Sequence, residues 1–224
     1  SGIVNIGIEG MMLTGAFMSA LIGSVAQSTW VGLLGALFGG GIMAALLAVL
    51  AIKYKVNQVI AGTAINILAT GLTSYFSDRY LQENRALNSP PTFEPIAIPL
   101  LSKIPIIGPA LFNHTVPVYI TFLLIIGIQV MLFYTRWVLR TRAVGEHPGA
   151  ADTLGVNVFK VRYINVIIGG MIAGLGGAYL VLSSVARFDE LMTAGKGYIG
   201  LAAMIFGKWN PVGALGSSLI FEIG

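Results

Sequence analysis

Apolar residues fall in long unbroken runs along this chain, not in the alternation of a half-buried strand or the stripe of a soluble helix. A helix that crosses a bilayer needs about 20 mainly apolar residues. Runs of that kind predict spans over 10–26, 30–52, 57–77, 115–135 and 164–186. A last apolar region, 198–224, is interrupted by GKWNP at 207–211. Its pieces, 198–206 and 212–223, are each short for a crossing. A re-entrant hairpin fits this region, and so does one short helix followed by a truncated one. Between the spans lie two segments of different character. Residues 78–114 contain Pro90, Pro91, Pro95, Pro99, Pro105 and Pro109, a density that excludes a long helix. Its apolar run, IAIPLLSKIPIIGPALF, is expected to pack on the outer face. The other segment, 136–163, is small, polar and basic.

Composition fits the spans. Of 224 residues, 56% are hydrophobic and 10% charged, where a soluble domain carries about 25% charged residues. The expected fold is all-α: a polytopic transmembrane helical bundle forming a single domain over 1–224. Because the chain opens Ser-Gly and stops at Gly224 inside an apolar run, it reads as a fragment lacking helices at both ends. There is no cysteine, so disulfides and thiolate metal sites are excluded. Alternating the loops puts Lys53, Lys55, Arg136, Arg140, Arg142, Lys160, Arg162 and Lys208 on one side, against Glu9, Glu146 and Asp152. Arg79, Arg85, Lys103, Arg187 and Lys196 share the other side with five acidic residues. By the positive-inside rule the first side, with 136–163, is cytoplasmic. Basic residues distributed in this way orient a membrane protein, and nucleic acid is not an expected partner.

The stretch TRAVGEHPGAADTLGVN, Thr141 to Asn157, has its own punctuation. Pro148 suits the first turn of a helix, and Gly155 the left-handed position after a helix end. Asn157 is placed to cap the following span. Residues 148–154 therefore read as a two-turn helix with Ala150, Ala151 and Leu154 on a small apolar face. So short a helix is unstable alone in water and must pack on something. Near the start, GIVNIGIEGMMLTGAF sets Asn5 and Glu9 among Gly2, Gly7 and Gly10. Ionisable groups at membrane depth usually face a protein interior or an aqueous cavity, and the glycines suggest a broken or tightly packed helix. Asn5 and Glu9 are thus candidates for a solute pathway, the alternative being that Glu9 lies in the headgroup region. Asn66, inside an apolar span, reads first as an interhelical hydrogen bond and joins them as a pathway candidate. Glu222 sits in the final apolar run.

No GxxxxGK[ST] is present, so the chain has no P-loop for a nucleotide. His114 and His147 fall on opposite sides of the membrane and cannot share a metal. No loop gathers a catalytic set.

At family level the motifs are specific. TRAVGEHPGAADTLGVNV resembles the cytoplasmic loop of permease subunits of bacterial ATP-binding cassette (ABC) importers, in the branched-chain amino acid, simple sugar and nucleoside group. GIVNIGIEGMMLTGAF is similar to the early signature of that group, and its NIGIEG wording is most like the nucleoside branch. NQVIAGTAINILATGLTSYF and GKGYIGLAAMIFGKWNPVGALGSSLIF fit the same branch. The likeness spans nearly the whole chain apart from 78–114. It implies a type II-importer-like permease in the bacterial inner or plasma membrane, forming the pathway for a small polar solute, most like a nucleoside. The implied partners are ABC ATPase subunits, a second permease subunit (identical or paralogous), an extracytoplasmic solute-binding protein and the lipid bilayer. ATP and Mg would be bound by the ATPase, with no cofactor on this chain.

Carried over residue by residue, Arg142, Ala143, Gly145, Glu146, Pro148, Ala151, Leu154 and Gly155 match the loop that docks on the ATPase. Ala151 and Leu154 would be buried against it, with Arg142 and Glu146 as flanking polar contacts. His147 and Gly149 depart from the family pattern. Gly149 weakens the short helix by up to about 1 kcal/mol relative to Ala. The competing reading is an ion-coupled secondary transporter, which predicts several ionisable residues within the spans; only Glu9 and Glu222 lie near membrane depth.

Overall fold

The computed structural model describes residues 2–97 and 113–223. Among these residues, five helices are long and apolar enough to cross a membrane: α1 (Ile8–Ala26), α2 (Thr29–Lys53), α3 (Gln58–Gln82), α4 (Val116–Tyr134) and α7 (Val158–Val185). Two short helices, α5 (Arg136–Glu146) and α6 (Pro148–Thr153), connect α4 to α7. The chain continues into α8 (Lys196–Phe206) and α9 (Pro211–Ile223). A two-residue antiparallel pair, β1 (Ile96–Ala97) with β2 (Asn113–His114), closes the proline-rich loop. Most of that loop's apolar run lies outside the described residues, with Pro99, Lys103, Pro105 and Pro109, as does the side chain of Glu222.

Side-chain caps set where two helices begin. The Asn57 carboxamide accepts from the Val59 amide at 2.9 Å, and that of Asn157 from the Lys160 amide at 2.8 Å. The cap starts α7 six residues before the expected apolar span, because helical geometry begins in polar sequence that hydropathy alone assigns to a loop.

α1 is the centre of the bundle, enclosed by α2, α3 and α7. Glycines permit the close approach. A Cβ added to Gly15 would lie 2.5 Å from the Gly174 Cα, and one on Gly177 would run into the α1 backbone at Met12 and Ala16. Two apolar clusters lie on either side of this contact. One joins Leu13, Phe17, Leu182 and Phe188, with Phe17 and Phe188 edge to face at 5.5 Å. The other joins Met11, Leu47, Ile65 and Val166. In contrast, α4 is only lightly covered, 6% of its most apolar stretch being buried and the rest partly or fully exposed. That is a surface suited to lipid.

The final apolar region is a helical hairpin. α8 and α9 have 11 and 13 residues, about 16 and 20 Å, well short of a hydrocarbon core of about 30 Å. Lys208 and Trp209 take left-handed backbone at the turn. Gly207 packs directly on the Gly213–Ala214 backbone, and Phe206 meets Phe221 edge on at 5.4 Å.

The link from α7 to α8 is not a surface loop. Asn88 holds the Phe188 backbone at the end of the bundle where α3 and α7 stop, through both its amide and its carbonyl. Gln82, the last residue of α3, donates to Glu190. A few residues on, Tyr198 lies against Asn66, 16 residues back along α3. The chain therefore drops into the membrane domain between Glu190 and Tyr198.

This corrects the expected placement of Glu9 and Lys196 on opposite sides. Gly195 and Gly197, which flank Lys196, both donate to Glu9, so the two residues share one depth. A polar run reads as a loop from its hydropathy, but here its amides are satisfied internally by a carboxylate. Removing both residues from the loop charges sharpens the basic asymmetry.

Candidate functional site: a polar groove at membrane depth and a basic connecting segment

The segment before α1 is not helical although it runs beside α3. Its backbone is satisfied by side chains. The Gln58 carboxamide oxygen accepts from the Val4 amide at 2.5 Å, Asn66 Nδ2 donates to the Ile6 carbonyl at 3.1 Å, and Asn5 Oδ1 accepts from the Gly7 amide at 3.0 Å. Irregular backbone at membrane depth is tolerated only with such partners. Asn66 lies eight residues into α3, about 12 Å along it, and its Oδ1 accepts from the Gly10 amide at 2.8 Å. α1 therefore starts well inside the domain, and its first turn carries Glu9.

The Glu9 carboxyl accepts three hydrogen bonds. Oε1 takes the Thr193 hydroxyl at 2.6 Å and the Gly195 amide at 2.9 Å; Oε2 takes the Gly197 amide at 2.7 Å. These amides form the N-terminus of α8. Glu9 thus sits in the first turn of one helix and against the first turn of another, where both dipoles favour negative charge. Gly197 is needed here because a Cβ on it would lie 2.6 Å from both the Glu9 Cα and Oε2.

Beside this junction opens a groove of about 500 Å³. Its polar lining comes from Glu9, Thr63, Asn66, Thr70, Thr193 and Tyr198, and its apolar lining includes Leu13 and Ile67. Tyr198 receives the second Asn66 amide hydrogen at 2.8 Å, which leaves its own hydroxyl hydrogen for another acceptor. Thr63 donates to the Val59 carbonyl, leaving its oxygen able to accept. Among the described residues, no Lys, Arg or His lines the groove.

The structure brings Glu9 and Asn66 together at this groove and leaves Asn5 out. Asn5 closes its own turn and its Nδ2 points to the Met11 sulfur at 3.1 Å. Thr63, Thr70, Thr193 and Tyr198 were missed by sequence reasoning. Thr63, Asn66 and Thr70 recur at helical spacing, i, i+3 and i+7, and that polar stripe was the available signal. Nothing local marks Thr193 or Tyr198; the descent of the chain brings them there.

The basic segment has its own small core. Val144, Ala151 and Val161 are buried together, with Trp137, Val156 and Val158 against them. A chain of hydrogen bonds from Trp137 Nε1 to Asn165 and from Asn165 to Thr141 ties α5 to α7. Pro148 opens α6, and Gly155 follows it in left-handed backbone, φ +78°. The Val156 amide donates to the Ala151 carbonyl and that of Gly155 to Asp152. This is a Schellman closure with Val156 packed back on the helix.

The expected pair Ala151 and Leu154 is divided. Ala151 is 2% exposed and packs inside this chain, whereas Leu154, just past the helix end, is 84% exposed. The reason is the short helix's need for packing, which its own chain supplies through Val144 and Val161. Arg142 stays exposed but lies back along its own chain. Its guanidinium donates to the Leu132 carbonyl near the end of α4 at 3.3 Å and sits 5.3 Å over the Phe133 ring. Ala143, Glu146 and Pro148 are exposed with Leu154, and Gly145 is half-buried. Gly145 packs near Gly2, at the head of the segment that leads to Glu9. Among the described residues no group of three or more His, Cys, Asp or Glu side chains is placed to hold a metal.

Comparison with known proteins agrees with a membrane permease. The chain is 40% identical to the guanosine ABC transporter permease protein NupQ of Bacillus subtilis (strain 168), covering 99% of this chain and 72% of the relative. It is 37% identical to the nucleoside ABC transporter permease protein NupC of Lactococcus lactis subsp. cremoris (strain MG1363), over 99% and 72%. It is 38% identical to the putative glucose ABC transporter permease protein TsgC13 of Haloferax volcanii, over 100% and 68%. No solved structure matches significantly. Residues 1–223 match the family described as branched-chain amino acid transport system / permease component. With its five apolar helices, the chain belongs to this family of ABC transporter permeases and is a multi-pass membrane protein.

Proposed function

We propose that this chain forms the translocation pathway of an importer for nucleosides in the bacterial inner membrane. The observation that carries the reading is the groove at Glu9 and Asn66: hydroxyl groups at membrane depth, an aromatic ring at Tyr198, and no basic side chain. A nucleoside presents hydroxyls and a flat base, and needs such groups. Relatives at 37 and 40% identity named for nucleosides and guanosine support the solute class. The relative named for glucose makes a sugar the competing solute.

In this reading the permease pairs with a second permease subunit, identical or paralogous, and an external binding protein delivers the solute. ATP and Mg are bound by separate ATPase subunits. The segment 136–163 is cytoplasmic and docks on the ATPase through Leu154, Glu146 and Pro148, all exposed, with Ala143 beside them. Gly155 ends the helix behind them, and Ala151, Gly145 and Arg142 hold the segment to its own chain. The packing of Gly145 near Gly2 offers a route from that surface to the groove. Solute and ATP must each favour one state of the pathway over the other for coupling to occur.

The test is ATP-dependent uptake of labelled guanosine into vesicles holding the complete transporter, with and without its binding protein. Uptake that requires both is expected. Uptake of glucose in place of nucleosides would change the solute, and uptake driven by an ion gradient without ATP would overturn the mechanism.

A further inference from the structure

The N-terminus of α8 faces the groove with amides that suit a carboxylate, and the chain fills that place itself. Glu9 takes the amides of Gly195 and Gly197 and the hydroxyl of the buried Thr193. A solute bearing a carboxylate finds no cationic side chain among the described residues of the lining, Lys196 being exposed outside it, and meets a like charge at Glu9. An uncharged solute meets no such repulsion, and finds hydroxyl and amide groups at Thr63, Thr70, Asn66 and Tyr198 beside the apolar Leu13 and Ile67. We infer that Glu9 is a specificity-determining residue: an internal carboxylate seated where a solute carboxylate would bind, which restricts the groove to uncharged, hydroxyl-bearing solutes. This rests on the reading that the groove carries the solute. It makes Glu9 a selector by exclusion, since its oxygens are already occupied, and assigns contact with the solute to Tyr198 and the threonines.

The experiment uses the complete transporter in vesicles, with labelled guanosine as the transported probe. Wild type, E9A and Y198F are compared in sodium chloride, in sodium acetate of equal ionic strength, and with L-leucine added on the pathway side. Wild-type uptake should be indifferent to both carboxylates. E9A uptake should fall by about tenfold in chloride, on the scale of a lost set of charge-assisted hydrogen bonds. Acetate, small enough to take the vacated seat, should recover most of that loss. L-leucine, which places its side chain in the groove as well, should inhibit E9A only. Y198F should raise the apparent KM for guanosine. If Y198F does so while E9A responds to neither carboxylate, the exclusion inference fails and the groove stands. If neither substitution alters guanosine uptake, the groove itself is misassigned. Should E9A fail to assemble in both salts, E9S carries the same test, and its indifference to acetate and leucine would overturn the inference.

Discussion

Replacing Asn66 by leucine isolates the junction of α1, α3 and α8. The two side chains share the number and branching of their heavy atoms, but methyl groups would replace polar atoms at hydrogen-bond distance and three hydrogen bonds go: from the Gly10 amide, to the Ile6 carbonyl and to the Tyr198 hydroxyl. Side-chain hydrogen bonds between membrane helices average about 0.6 kcal/mol, which puts the loss near 2 kcal/mol. Two of the partners are backbone groups. Gly10 is itself buried, and its amide is one of the N-terminal amides of α1 that need an outside acceptor. A buried amide left without an acceptor costs about 1–3 kcal/mol, so the total rises toward about 4 kcal/mol. For a domain of this size 1 kcal/mol moves the midpoint by about 2–4 °C, so N66L should unfold roughly 5–15 °C lower. Thermal unfolding of the purified complex in detergent measures this. A double-mutant cycle with Y198F should return a coupling of about 0.5–1 kcal/mol, the contact at 2.8 Å being direct. An N66L midpoint within a degree of wild type, together with a coupling of zero, would refute the view that Asn66 joins the three helices.

Two further substitutions test the packing and the docking surface. G177A drives a methyl group into the Met12 and Ala16 backbone and should abolish the folded complex. G169A, eight residues earlier on α7 with nothing within 4 Å of its Cβ position, should stay within about 1 kcal/mol of wild type; equal behaviour of the two, read by size-exclusion yield, would show that the α1–α7 approach is not close. L154D alters a side chain that is 84% exposed, so insertion and the unfolding midpoint should be unchanged while co-purification of the ATPase and uptake are lost. Retention of both would remove Leu154 from the docking surface.

Much of the architecture was legible because it follows from local chemistry. A run of about 20 apolar residues has few stable arrangements in a bilayer other than a helix, so the spanning helices are written in composition. The stop of α6 at Gly155, its start at Pro148 and the cap at Asn157 depend on the conformational limits of single residues, and each is readable without neighbours. The motifs from Gly2–Phe17 to the final hairpin carried the family in the same way. The stripe Thr63, Asn66 and Thr70 is equally present in the sequence, although only Asn66 stands out among apolar neighbours.

What the tertiary structure alone decided is who partners whom. Ala151 and Leu154 lie on one expected apolar face, yet one is buried and the other exposed, because Val144 and Val161 arrive from distant turns to cover only Ala151. Arg142 is a surface charge, as its sequence suggests, but only the fold shows that the end of α4 gives it a partner on its own chain. Glu9 and Lys196 look like loop charges on opposite sides, 187 positions apart, until the descent from Glu190 to Tyr198 brings them to one depth. Hydropathy assigns each residue a preference averaged over surroundings. A carboxylate against three donors at the head of a helix has surroundings of its own, and these exist only once the chain has folded around it.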